Sequence, residues 1–268
     1  MHCGQTNVKS IRTATSMKRT YFKTSFDLIE IDITFKCNLM CYNCDRSCRQ
    51  APEENHMSIE QISRFLEESA NLYHEWKRIR ILGGEPYLHP QINLILDLLS
   101  NYRLENKDTI IEVVTNGYGP EVNKAILKTP ANIEIKNTKK TSQFNTKFEP
   151  FNIAPKDLEY SSFNTYTEAC WITEECGFGF NCYGFYQCAV AGSIDRVLGL
   201  DIGLKQLPSQ EKQLVMQKKK LCAYCGHFLN QKFIPPENRT SVDGEPQTVS
   251  WKKAYSEYKR QKPVMSLY

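Results

Sequence analysis

Eleven cysteines stand among 268 residues, and they are grouped. Cys37, Cys41, Cys44 and Cys48 fall within FKCNLMCYNCDRSC; Cys170, Cys176, Cys182 and Cys188 form a second group, Cys222 and Cys225 a third, and positions 49 to 169 hold none. The odd count argues against a disulfide framework and for metal or cluster ligation. In Cys-x3-Cys-x2-Cys, the thiolates of Cys37, Cys41 and Cys44 can wrap three corners of a cubane iron–sulfur cluster, the short spacers curling the loop around it and leaving one iron open. A zinc site is the alternative. Tetrahedral zinc takes four ligands, and Cys48 could supply the fourth.

The elements that must hold these thiols follow from periodicity. LIEIDITF (28–35) has the β-branched content of a strand and runs straight into the first group. Ser58 and Gln61 make a capping box for a helix through about Trp76, followed by a strand at RIRIL (78–82). Pro90 opens a further helix, TIIEVVT (109–115) forms a strand, GPEVNKAILK a short helix and NIEIKNT (132–138) another strand. Such alternation predicts a parallel α/β sheet with its chemistry at the strand C-termini. Only four or five units fit before residue 160, which predicts an open, partial β/α barrel.

A net charge of +4 and dispersed lysines exclude a nucleic-acid footprint, and QKKK at 217–220 is expected to be a solvated helix face. No run approaches the ~18 to 20 apolar residues of a membrane span, and the polar start does not read as a secretory signal, so a cytoplasmic location is expected.

The Cys37, Cys41, Cys44 triplet after a strand, with Gly83, Gly84, Glu85 and Pro86 at the end of the next, resembles the radical S-adenosylmethionine (SAM) superfamily. The resemblance implies a [4Fe-4S] cluster on the triplet and SAM on its open iron, cleaved reductively to a 5'-deoxyadenosyl radical that abstracts hydrogen. It implies that the Gly-Gly-Glu-Pro backbone and Glu85 meet the SAM amino group and that Asn116 approaches SAM. Where the family often has an aromatic residue against the adenine, this chain has Asn43, with Tyr42 one place earlier.

The C-terminal third resembles the short, twitch form of the SPASM/twitch auxiliary-cluster module. Cys170, Cys188, Cys222 and Cys225 fit its ligand order, with Gly184 near Cys188 at Gly-x3-Cys in place of the family's Gly-x4-Cys. This implies an auxiliary [4Fe-4S] cluster, with Cys176 and Cys182 as spare thiols. The implied organisation is an N-terminal extension (1–25), a radical SAM partial barrel (26–160), a small module built around a metal instead of a large apolar core (161–235), and a tail with a short amphipathic helix (236–268).

The short-form relatives imply a reaction: oxidation of a sugar or cyclitol alcohol, with the auxiliary cluster accepting the electron. Lys139, Lys140, Glu168 and Asp195 are the candidate bases, and Asp195 and Arg196 are expected to pair with each other. A small-molecule substrate and a reducing partner such as flavodoxin or ferredoxin are the implied partners. A radical SAM peptide-modifying maturase and a zinc-binding, non-catalytic interaction protein remain the alternatives.

Overall fold

The computed structural model describes residues 22–145, 148, 151–158, 170–228 and 245–268. Cys3, Glu168 and most of the expected N-terminal extension lie outside them. Strands β1 (Leu28–Asp32), β3 (Arg78–Leu82), β4 (Ile110–Thr115) and β5 (Glu134–Asn137) pair in parallel, and a short parallel pair joins β2 (Met40–Cys41) to β6 (Phe144–Asn145). Helices α1 (Ile59–Asn71), α2 (Ile92–Glu105) and α3 (Pro120–Ile126) fill the crossovers. Ile29, Ile31, Ile79, Ile81, Ile111 and Val113 share one apolar cluster with Ile62 and Phe65 of α1 and Ile95 and Leu99 of α2. The alternate positions, Glu30, Asp32, Arg80 and Glu112, point to the opposite face.

The Ser58–Gln61 capping box forms, with Gln61 N–H donating to Ser58 Oγ and Ser58 N–H to Gln61 Oε1. The helix stops at Asn71, short of Trp76, because the chain turns through Tyr73 at φ +50°. Trp76 still buries, donating its indole N–H to Ser69 Oγ. Pro90 lies one residue before Gln91, the N-cap of α2.

The span expected as a separate small module is continuous with the sheet. After α4 (Trp171–Glu175), strands β7 (Phe178–Asn181) and β8 (Gly184–Tyr186) form a hairpin that docks on the free side of β1, giving the order β5-β4-β3-β1-β7-β8. The cause is apolar. Phe180 stacks on Phe185 and both reach Phe65 of α1. Helices α5 (Ala189–Leu198), α6 (Val215–Leu221) and α7 (Val249–Arg260) share a second apolar cluster that includes Ile194, Leu221, Trp251 and Tyr255. This region therefore has a core of its own as well as cysteines.

The QKKK run is likewise only half solvated. Gln217 and Lys218 are buried while Lys219 and Lys220 are exposed, because α6 turns one face to this core. Gln217 clamps the hairpin, donating to the carbonyls of Phe185 and Ile202 and accepting from Gln187 N–H.

Gly179 sits where α5 crosses β7: a Cβ there would overlap Ala189 N and the Cys188 carbonyl carbon. Gly179→Ala is expected to destabilise the protein by about 1–3 kcal/mol, as overpacking does, and to displace Cys188. Thermal unfolding with iron counts per chain checks this; a variant with wild-type melting and iron content would contradict it.

Candidate metal centres

The first thiol nest hangs from the C-terminal end of β1. Gly84 N–H donates to Thr34 O and Glu85 N–H to Lys36 O, both at 2.8 Å, so the turn after β3 lies directly against the loop entering Cys37. A Cβ on Gly83 would overlap Thr34 O, and one on Gly84 would overlap Lys36 O; Gly83 also holds φ +130°. The double glycine is thus a steric requirement for two loops to meet.

Cys37, Cys41 and Cys44 line one cavity together with Gly83, Gly84 and Asn116. Burial and neighbouring thiols push Cys37 upward and raise Cys41 to about 12. Cys44 is lowered because the Cys48 side chain hydrogen-bonds to it, which places Cys48 on the same cavity. Among the described residues, no three His, Cys, Asp or Glu side chains converge as ligands of a single ion. An all-thiol set lining a cavity suits a polynuclear iron–sulfur group.

Glu85 is fully buried and holds the end of β4: it accepts from Thr115 Oγ1 (2.7 Å), Asn116 N–H (2.8 Å) and Tyr87 N–H (3.2 Å). Burial raises its pKa despite these bonds. Pro86 starts the short 3-10 turn behind it. Asn116 faces the cavity with its carboxamide tied to Asn38 Oδ1 and Tyr118 N–H. Tyr42 is buried and its N–H pairs with Asn145 O. Asn43 is also fully buried, at φ +48°, with its N–H on Glu245 Oε2 at 2.6 Å; neither polar atom of its carboxamide has a partner. The unpartnered amide lies between Cys41 and Cys44 in sequence but does not line the cavity.

The second nest gathers Cys170, which caps α4, Cys188, which caps α5, Cys222, which ends α6, and Cys225, three residues on. All four line one small cavity among Ile172, Gln187, Val190 and Leu221. Burial raises Cys170 to about 11 and Cys188 to about 12 and drives Cys222 and Cys225 well above the usual thiol value, and the neighbouring thiols push Cys188, Cys222 and Cys225 up further. Neutral thiols gain nothing from this crowding, whereas a shared cationic cluster would stabilise the thiolates. Cys176 and Cys182 do not line this cavity, and Cys182 faces the C-terminal tail, its carbonyl accepting from Tyr268 N–H.

Asp195 and Arg196 do not pair with each other. Asp195 accepts from Tyr186 Oη and Ile202 N–H, while Arg196 donates to the carbonyls of Ala51 and Arg46 and to Tyr258 Oη. Successive residues on a helix diverge by about 100°, so neighbours reach different partners. Lys139 is exposed, and Lys140 lines the first cavity.

One set of residues is absent from the sequence reading. Glu30, Arg80 and Glu112 are register partners across β1, β3 and β4, and Arg80 bridges the two carboxylates at 3.0 and 2.7 Å. Arg46, two residues past Cys44, reaches Glu30 at 2.9 Å, Asp32 at 3.2 Å and Asp45 at 3.0 Å. Arg46 lines the first cavity, and the charges of Arg46 and Glu30 also reach the Cys188 thiol of the second nest. Charged residues at alternate positions of three apolar strands were the available signal.

Residues 31–135 match the Radical SAM superfamily, so this part of the chain is a radical SAM domain. The GTP 3',8-cyclase of Aliarcobacter butzleri is 29% identical over 99 residues, 36% of this chain and 29% of that protein. The GTP 3',8-cyclase of Nautilia profundicola is 30% identical over 103 residues, 36% of this chain and 30% of that one. A probable GTP 3',8-cyclase of Methanocaldococcus jannaschii is 32% identical over 89 residues, 33% and 28%. The matches thus span roughly three-tenths of each relative. Among solved structures, BtrN in complex with AdoMet and 2-DOIA aligns at a TM-score of 0.46 and 15% identity over 84% of this chain and 98% of that one.

Burial raises Asp32 from 3.8 to about 7, although Arg46 pulls against it. Between those values the unfolded chain releases the proton and the native one keeps it, so Asp32 costs stability as pH rises through that window. Thermal midpoints taken from about pH 4 to 8 are expected to fall more steeply for wild type than for Asp32→Asn; parallel curves would refute the assignment.

Proposed function

We propose that the chain is a radical SAM enzyme with two iron–sulfur centres that oxidises a secondary alcohol of a small polyol, a sugar or cyclitol. The observation that carries this is the second nest, in which four cysteines from three separate segments line one cavity. When bound, SAM and the two clusters would supply one-electron chemistry, a carbon radical at the first site and an electron sink at the second.

Cys37, Cys41 and Cys44 would hold the first cluster with one iron left for the SAM amino and carboxylate groups. Gly83 and Gly84 offer close backbone approach to the ammonium, and Asn116 faces the same cavity. Glu85 would act there chiefly by fixing Asn116, since its oxygens already accept from Thr115, Asn116 and Tyr87. Asn43 would take the adenine edge with its unpartnered carboxamide. Cys170, Cys188, Cys222 and Cys225 would saturate the second cluster, which favours electron acceptance over substrate binding.

The alcohol carbon would lose a hydrogen atom, its hydroxyl a proton, and the resulting radical an electron, leaving a ketone. Of the described candidate bases, Lys140 lines the first cavity. A small acidic electron carrier such as flavodoxin or ferredoxin would supply reducing electrons. Among the described residues no helix is long and apolar enough to cross a membrane, and the proposed setting is the cytoplasm.

The cyclase relatives do not favour a nucleotide substrate, because a match of 99 residues cannot include both Cys37 and Cys225. In protein purified without oxygen, iron and sulfide for two cubanes are expected, with the Mössbauer signal of one perturbed by SAM. Zinc in the second nest would remove the electron sink. Cys41→Ala is expected to reduce 5'-deoxyadenosine formation to background, whereas Cys222→Ala should still cleave SAM but yield no ketone. Normal alcohol oxidation by the Cys222 variant would sink the two-centre reading.

A further inference from the structure

Two buried polar groups, one lining the second nest and one on the helix that leads into it, are not explained by its thiols alone. Gln187 is fully buried, and its Nε2 donates to Cys222 Sγ at 3.4 Å while its Oε1 has no partner. A buried amide with one orphaned oxygen costs stability, so packing alone does not account for its orientation. Lys218 lies four residues before Cys222 on α6, one helical turn away. Its side chain is 1% exposed, and its ammonium meets Glu211 Oε1 at 2.6 Å. A lysine seeking only a carboxylate could do so at the surface, whereas this one buries its charge one helical turn from Cys222.

We propose that Gln187 and Lys218 are positioning residues that set the reduction potential of the second centre, making it a competent one-electron acceptor. This rests on the reading of Cys170, Cys188, Cys222 and Cys225 as cluster ligands. An electron entering that buried space adds a negative charge to thiolates already short of solvation. An amide N–H on a ligand sulfur and an ammonium nearby both stabilise the reduced form more than the oxidised one. Glu211 moderates the effect by partly neutralising Lys218, and its 35% exposed side chain lets solvent screen the carboxylate.

The test is an anaerobic redox titration of the iron-loaded full chain, followed by electron paramagnetic resonance so that the two centres are read separately. Lys218→Met and Gln187→Leu are each expected to lower the reduced-to-oxidised ratio of the second centre about tenfold at fixed potential, about 59 mV for a one-electron couple. Lys218→Arg should preserve the wild-type midpoint. Glu211→Gln, near the surface, should move the midpoint the opposite way, and the first centre should stay put in every variant. If Lys218→Met loses its iron, the sign of the Glu211→Gln shift decides. Unmoved second-centre midpoints, or both centres shifting together, overturn the proposal while the cluster reading survives. Absence of a second iron centre in wild type overturns both.

Discussion

Arg46 ties the cysteine loop to the sheet, and much of the arrangement depends on that tie. Its guanidinium binds Glu30, Asp32 and Asp45. Glu30 is shared with Arg80, and Arg80 with Glu112, so one buried chain of charges runs from the loop across three strands. Each member would be costly alone in that interior, and truncating one partner of a buried pair typically costs about 3–5 kcal/mol. The strand register and the loop position therefore constrain each other: a one-residue slip of β3 would turn Arg80 to the apolar side. The thiols stand where they do partly because a charge network accepts only one alignment.

The two nests solve the same electrostatic problem with different means. Both bury thiols, and burial works against their ionisation even where, as at Cys44, a hydrogen bond outweighs it. The first combines them with backbone glycines, a buried clasp at Glu85 and the Cys48 hydrogen bond, and it remains bordered by polar groups including Asp45 and Asn145. Apart from its cysteines, the second is lined mainly by aliphatic side chains, with Thr173 and Gln187 its polar neighbours. If both nests hold clusters, the polar one would suit binding of a small ligand and the apolar one electron traffic without ligand exchange.

What could be read beforehand was what sequence encodes locally. The Cys37, Cys41, Cys44 spacing, the Ser58–Gln61 box and the strand at 78–82 each depend on a few adjacent residues and appear in the fold as expected. The gathering of Cys170 and Cys188 with Cys222 and Cys225 was accessible only through resemblance, since nothing local joins segments fifty residues apart. The charge row escaped because Glu30, Arg80 and Glu112 each look like solvent-facing positions; only register makes them partners. Lys218 escaped for a related reason, because a run of like charges gives no hint of which member a helix turns inward.

The hairpin on the free side of β1 has a consequence for how the protein is made. Ile29 pairs with Phe178, so the strand that launches the first cysteine loop keeps one edge unsatisfied until the chain has been synthesised past β8. Long-range parallel pairing forms slowly, and an open strand edge invites pairing with other chains in the meantime. The nascent chain thus presents the Cys37, Cys41 and Cys44 thiols well before the wall beside them exists. Metal delivery timed to the finished sheet, and not to emergence of the triplet from the ribosome, is the order of assembly that this topology favours.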